Sequence, residues 1–344
     1  MTRRTSHIPV LLGPLLEVLD LRPGQAVVDC TLGLGGHSAA LLERVSPGGR
    51  LIGIDLDPAN IALARARLEA VVAGSAKGAG GAATAGVDEG AAGAATAGVD
   101  EGAAGAAATG RPALARFDLY RNNFAALPRV LAEAGIERAD AVLADLGLAS
   151  PQIDDPDRGF SYRRQGPLDM RMDPNRGEPA STLVNRLTEQ QLAEALLELG
   201  DEDDAAAIAR LIVERRTKHP IKTTRDLTAI VCQARDFTLR RAAGAKLHPA
   251  ARTFQALRIL VNRELANLER LLTVLPSCLA PGGVAAIISF HSGEDRRVKA
   301  SFRDGLDRGI YAAISPDPVT AGEAEARANP RSRSAKLRWA RTSR

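Results

Sequence analysis

The residues of this chain best suited to chemistry are carboxylates that close short apolar runs and stand next to turns of small residues. Asp29 ends A-V-V-D at 26–29 and is followed by C-T-L-G-L-G-G-H-S, where Gly33, Gly35 and Gly36 fall within four positions before Ser38. Asp55 ends R-L-I-G-I-D at 50–55, and Asp145 ends D-A-V-L-A-D at 140–145, ahead of a Gly/Ser/Pro-rich loop. In a doubly wound sheet such strand ends lie along one edge, around the crevice where ligands bind. The glycine turn lets backbone approach a ligand closely. A carboxylate accepts two donors at once, so Asp55 suits a bidentate contact to ribose hydroxyls.

This outline admits two nucleoside cofactors. A dinucleotide fingerprint G-x-G-x-x-G would need a third glycine where this chain has Ser38, which disfavours a nucleotide-dependent oxidoreductase. An acid four residues before the first glycine suits S-adenosylmethionine, which carries no phosphate and whose amino-acid end is held by backbone contacts.

The elements that must position these residues alternate. An apolar entry segment at 7–19 starts a helix near Pro14; strands follow at 26–29 and 50–55, at 113–117, at 140–146 and at 284–290. Between them run helices, one behind Ser38, one opened by Pro58 and one at 124–134. The segment 74–110 interrupts the rhythm: GAATAGVDEGAA at 81–92 recurs unchanged at 93–104. Its glycines oppose helix and it has few large apolar groups, so we expect a disordered insertion without a catalytic role. From about 175 to 248 the pattern is helical, with capping boxes at Thr188–Gln191 and Thr223–Asp226. Phe254, Leu257, Val261, Leu265, Leu268, Leu272 and Leu275 then predict one long helix with a single apolar stripe. The expected division is a first α/β part at 1–150, an inserted helical domain at 151–248 and a second α/β part at 249–344.

At 344 residues and 45% hydrophobic content the chain has enough apolar sequence for one large core or two modest ones. Its apolar runs are too short to span a bilayer and no signal-peptide core opens it, so no membrane and a cytoplasmic location are expected. Cys30, Cys232 and Cys278 show no paired spacing and read as buried thiols; no metal site is expected. The net charge is only +4, but from Ala326 onward there are seven basic residues and no acid.

Several stretches in this order resemble one family. They are H-I-P-V-L-L, D-C-T-L-G-L-G-G-H-S, G-I-D-L-D-P, D-L-G-L-A-S-P-Q-I-D, R-G-F-S-Y, G-P-L-D-M-R-M-D, R-T-F-Q-A-L-R-I-L-V-N-R-E-L, S-F-H-S-G-E-D-R-R-V-K and N-P-R-S-R-S-A-K-L-R. Together they are similar to the bacterial small-subunit (16S) ribosomal RNA cytosine-N4 methyltransferases, over nearly the whole chain except the Gly/Ala insertion. The resemblance implies a class I, Rossmann-like α/β methyltransferase fold with an inserted all-helical domain. It also implies S-adenosylmethionine as cofactor and a decoding-site cytidine as substrate, presented by small-subunit ribosomal RNA or the 30S particle to a monomer or homodimer. Its cofactor contacts carry over to Gly35, Gly36, His37, Asp55, Phe124, Asp145 and Gln152. The chain departs from the family at Gly13-Pro14, Ala149 and Gly293, none of them a cofactor position.

Methylating an exocyclic amine calls for in-line positioning and an acceptor that draws the amine out of the ring plane. Asp145 and Ser150 are the first candidates, in a loop with one proline and no aromatic where related enzymes carry a D/N/S-P-P-aromatic motif. Asp169 and His291, with Asp295, are the second; the bland alternatives are that Asp169 braces Arg171, His291 is a bonded strand-end residue and Asp295 caps a helix. Arg158, Arg163, Arg164, Arg171, Arg296, Arg297, Lys299 and the basic tail are the expected phosphate contacts, with Phe160 and Tyr162 as stacking candidates. A non-catalytic RNA-binding or assembly factor is the alternative from a different class.

Overall fold

The structure, a computed structural model, describes residues 9–81, 115–245 and 248–343. The chain opens with α1 (Leu12–Leu19), β1 (Ala26–Asp29), α2 (Gly36–Val45), β2 (Arg50–Asp55), α3 (Pro58–Gly81), β3 (Arg116–Arg121), α4 (Leu127–Glu133) and β4 (Ala139–Asp145). A helical stretch follows: α5 (Ser150–Asp154), α6 (Ala180–Arg186), α7 (Glu189–Gly200), α8 (Ala205–Arg216), α9 (Thr224–Ala234), α10 (Leu239–Ala243) and α11 (Ala251–Asn262). The return to the sheet runs through α12 (Glu264–Cys278), β5 (Leu279–Ser289), α13 (Ser292–Asp307), β6 (Tyr311–Ile314), β7 (Val319–Thr320), α14 (Glu323–Ala328) and β8 (Lys336–Thr342).

The strand order is β3-β2-β1-β4-β5-β8-β6, with β7 paired to β8. The first five strands are parallel and β8 runs antiparallel between β5 and β6. The order in which strands are added reverses between β1 and β4, a switch point that opens a ligand crevice at their carboxyl ends. Asp29, Asp55 and Asp145 close β1, β2 and β4 there. This is the expected class I methyltransferase architecture.

Successive strand residues feed opposite cores, as a sheet covered on both faces requires. Val27, Leu51, Leu143 and Ile288 pack with α1, α2 and α3, while Val28, Ile52, Val142 and Ile287 pack with α4, α12 and α13. A third cluster, including Leu192, Ile208, Leu227 and Phe254, belongs to the helical stretch. Both expected capping boxes form, at Thr188 with Gln191 and at Thr223 with Asp226.

The long helix expected over 254–275 is instead two helices. Arg263 adopts φ 51° between α11 and α12, a left-handed conformation that costs a non-glycine residue about 1–2 kcal/mol. The apolar stripe divides there: Phe254, Leu257 and Val261 join the helical cluster, while Leu268, Leu272 and Leu275 join the sheet core. Asn262 holds the break, accepting the Met172 N–H at 2.8 Å and donating to the Met170 carbonyl at 2.8 Å.

Three further boundaries differ from expectation. β3 is Arg116–Arg121, in a register with β2 that pairs Arg50 with Arg116 through Asp55 with Arg121; of the strand expected at 113–117, residues 113 and 114 lie outside the described residues. α3 continues to Gly81, into the segment expected to be disordered from 74; residues 82–114 lie outside the described residues. The basic tail, expected among the phosphate contacts, contributes a sheet strand: β8 lies between β5 and β6, and Arg338 and Lys336 pair with Asp295 at 2.6 and 3.4 Å.

Candidate active site

Hydrogen bonds between strand ends set the glycine turn. Asp29 accepts the Ser38 hydroxyl at 2.6 Å and the Thr31 N–H at 3.1 Å, so it braces the turn. Burial pushes its carboxyl up, against the hydrogen bond from Ser38. The Thr31 hydroxyl accepts the Asp145 N–H at 2.6 Å, tying β1 to β4. Gly33 and Gly35 hold φ of 50° and 71°, and a Cβ on Gly35 would stand 3.1 Å from the Ala64 side chain. The turn thus lies against α3 where only glycine is unstrained.

Two cavities open beside this turn. One, with about 750 Å³ of empty space, is lined by Asp55, Asn60, Asn123, Phe124, Gln152 and Glu264 among others. The other, about 1000 Å³, is lined by Gly36, His37, Asp145, Arg258, Phe290 and Arg331 among others. Thr31, Gly33, Leu146, Gly147 and Ala149 line both, so these residues are the partition between them.

Asp55, Phe124 and Gln152 therefore share the first cavity, and Gly36, His37 and Asp145 the second, while Gly35 lines neither. Asp55 accepts from the Gly33 N–H at 2.8 Å, the Asp57 N–H at 2.7 Å and the Asn60 amide at 3.2 Å. Three of roughly four acceptor positions are filled, which leaves room for one hydroxyl and not the bidentate pair expected. Burial raises its pKa to about 6 against those hydrogen bonds. Gln152 is oriented by donating to Asp57 at 3.0 Å and accepting the Ala149 N–H at 3.2 Å. Arg158 completes that clamp at 2.7 Å from Asp57; burial alone would raise the Asp57 carboxyl, but Arg158 and Gln152 hold it below the usual range.

Asp145 is the most unusual group. Its Oδ1 is buried with no hydrogen-bond partner, and its Oδ2 lies 3.6 Å from His37 Nδ1. Burial, reinforced by Asp29 and Glu294 and opposed by His37, raises its pKa to about 6. His37 Nε2 stands 2.9 Å from the Val10 carbonyl, which only accepts, so Nε2 carries a proton.

The other catalytic candidates are placed elsewhere. Ser150 opens α5 beside Ala149. Asp169 lines neither cavity and makes a two-pronged pair with Arg171 at 2.9 and 2.7 Å, which outweighs burial and holds its carboxyl low. His291 lines neither cavity; its Nε2 is 3.2 Å from Glu294 at an angle that forms no hydrogen bond. Asp295, far from capping its helix, anchors β8 through Arg338.

The expected phosphate contacts are largely spoken for. Arg158 donates to the Arg171 and Met172 carbonyls besides Asp57, and Arg297 pairs with Glu269 at 2.7 Å. Phe160 is buried in the helical cluster, and Tyr162 stacks on His248 with centroids 4.4 Å apart. Sequence reasoning passed over Glu294, which lines the cofactor-side cavity and accepts the Phe290 N–H at 2.8 Å. It also passed over the Arg258–Glu264 pair, two contacts of 2.8 Å joining one cavity to the other. Both sit in quoted motifs, and a buried acid three residues past the histidine was the available signal. Among the described residues no cluster of three or more His, Cys, Asp or Glu is placed to hold a metal, and no helix is long and apolar enough to cross a membrane.

A doubly wound sheet with its acid-ended strands, glycine turn and paired cavities defines a class I S-adenosylmethionine-dependent methyltransferase. The model of the MraW methylase family matches residues 4–77 and 74–343, and the chain belongs to that family. A curated relative from Halorhodospira halophila, ribosomal RNA small subunit methyltransferase H, is 42% identical over 352 residues, covering 98% of this chain and 94% of its own. The protein of that name from Acidobacterium capsulatum is 39% identical over 337 residues, covering 98% of each chain.

Proposed function

We propose that this protein methylates the N4 amine of a cytidine in the decoding region of small-subunit ribosomal RNA. The observation that carries the chemistry is the Asp145 carboxylate, which lines the second cavity next to the partition residues Leu146 and Gly147. The relatives' names supply the substrate class.

In this reading Asp55, Phe124 and Gln152 hold the adenosine part of S-adenosylmethionine, and the turn from Gly33 to His37 holds its amino-acid part. The bound cofactor supplies an electrophilic methyl carbon. The target cytidine, unstacked from its neighbours, enters the second cavity against Phe290. The Asp145 carboxylate accepts a hydrogen bond from the exocyclic amine and draws its lone pair out of conjugation with the ring. Transfer would break the methyl carbon's bond to sulfur and leave S-adenosylhomocysteine, and the methylated nitrogen would give up its proton to Asp145, which holds it. Orientation of this kind is worth about 7–11 kcal/mol at best. His37 is a positioning residue, fixed by Val10 and facing the other carboxylate oxygen. The helical segment from Ser150 to Asn262 forms one wall of the substrate side and, with the RNA, completes the site.

Mapping of modified nucleotides in small-subunit ribosomal RNA from cells with and without the protein tests this. One decoding-region cytidine loses its N4-methyl group when the protein is absent; an unchanged map overturns the reading.

A further inference from the structure

At the adenosine end of the cofactor cavity, away from Asp145, a wide groove of about 1660 Å³ is lined by Arg121, Arg129, Arg171, Arg176 and Arg263, with Asp173 as the carboxylate in the lining. It shares Leu56, Asn122, Asn123, Asn262 and Asn267 with the cofactor cavity and no residue with the Asp145 cavity. Three carboxylates answer these five guanidinium groups: Asp173 lies 3.0 Å from Arg121 and 3.8 Å from Arg176, Asp169 pairs with Arg171, and Glu133 pairs with Arg129. Arg263 has no carboxylate partner among the described residues. It is the residue in left-handed conformation at the α11–α12 break, where Asn262 and the Asn267 amide, 3.0 Å from the Asn262 carbonyl, fix the chain. The strained break delivers an unpaired cation to the groove.

We propose that this groove holds the sugar-phosphate backbone of the RNA strand that flanks the target cytidine, an inference that rests on RNA being the substrate. Guanidinium groups offer N–H forks that match phosphate oxygens, and asparagine amides match ribose hydroxyls. No aromatic side chain lines the groove, so it has nothing on which bases could stack. Backbone contact without base readout fixes the strand's path and leaves the choice of nucleotide to the Asp145 cavity. Electrostatic contacts of this kind are strongly salt-dependent.

The test uses the full chain, with Arg176→Ala, Arg263→Ala and the double variant, both positions being exposed. Fluorescence anisotropy with a labelled small-subunit rRNA fragment is measured over a range of salt, and S-adenosylhomocysteine binding is titrated in parallel. The double variant is expected to bind RNA about tenfold or more weakly, with a salt slope reduced by about one per arginine. Cofactor-product binding and melting temperature should match the parent. RNA affinity and slope equal to the parent's overturn the groove alone. A parent protein that binds no rRNA overturns the substrate reading and the groove with it.

Discussion

His37 Nδ1 lies 3.6 Å from Asp145 Oδ2, and the proton on His37 Nε2 is committed to Val10. Nδ1 is therefore the ring nitrogen that faces the carboxylate. Asp145 accepts from the substrate amine only when ionised, and burial has raised its pKa to about 6. The methylation rate should therefore rise with pH through about 6 and level off above it. His37→Gln removes the neighbour whose interaction opposes the rise, so its midpoint should move to higher pH. Single-turnover rates from pH 5 to 8 check this, and a flat profile in both proteins would falsify it. Asp145→Asn should lower the rate at pH 8 by about 10²–10⁴-fold, the usual reach of a positioned proton acceptor.

The same carboxylate weakens the fold. A rise from 3.8 to about 6 means that the folded state opposes ionisation by about 3 kcal/mol. With the folded pKa raised, the unfolded chain binds fewer protons between these values, so stability falls as pH increases through that window. Asp145→Asn should consequently melt at higher temperature than the parent at pH 8. The gap should close below about pH 4, where both states carry the proton. Calorimetry at the two pH values decides; a variant less stable at pH 8 would show the charge to be compensated.

Cofactor binding should carry its own pH dependence through Asp55. A hydroxyl that donates to this carboxylate favours its ionised form, whose pKa in the free protein is about 6. S-adenosylhomocysteine affinity is expected to be constant from pH 7 to 8 and to weaken progressively below pH 6. Titration calorimetry reads this directly. In Asp55→Asn the affinity should be lower at pH 7.5 and nearly independent of pH.

Asp295 and Asp169 should behave as structural residues. Asp295→Ala leaves Arg338 buried beside no counter-charge and should cost about 3 kcal/mol or more of stability. Denaturant unfolding measures that loss. Asp169→Ala frees Arg171 and should leave S-adenosylhomocysteine affinity within about twofold of the parent, since Asp169 lines neither cavity. A tenfold loss in that titration would place Asp169 in the cofactor site after all.

What could be read from the sequence was local. Asp29, Asp55 and Asp145 announce strand ends because an apolar run stops at each, and the glycines after Asp29 announce the turn. The capping boxes at Thr188 and Thr223 work the same way, through contacts three residues apart. The break at Arg263 was hidden because apolar spacing runs through it without glycine or proline, although its two halves serve different cores. Charge was misread for a related reason. Arg158 and Arg338 look like free cations until the fold brings Asp57 and Asp295 to them across 101 and 43 residues of chain. The phosphate-binding role then falls to arginines such as Arg176 and Arg263, which no motif marked for it.

The central claim is that Asp145 serves transfer of a methyl group to cytidine N4. Purified protein is incubated with small subunits from cells lacking it and with methyl-labelled S-adenosylmethionine, and the RNA is digested to nucleosides. The label should appear in N4-methylcytidine with the parent protein, and be lost with Asp145→Asn although that variant still binds S-adenosylhomocysteine. Label on a ring carbon or a ribose oxygen, or an undiminished rate in Asp145→Asn, would contradict the account.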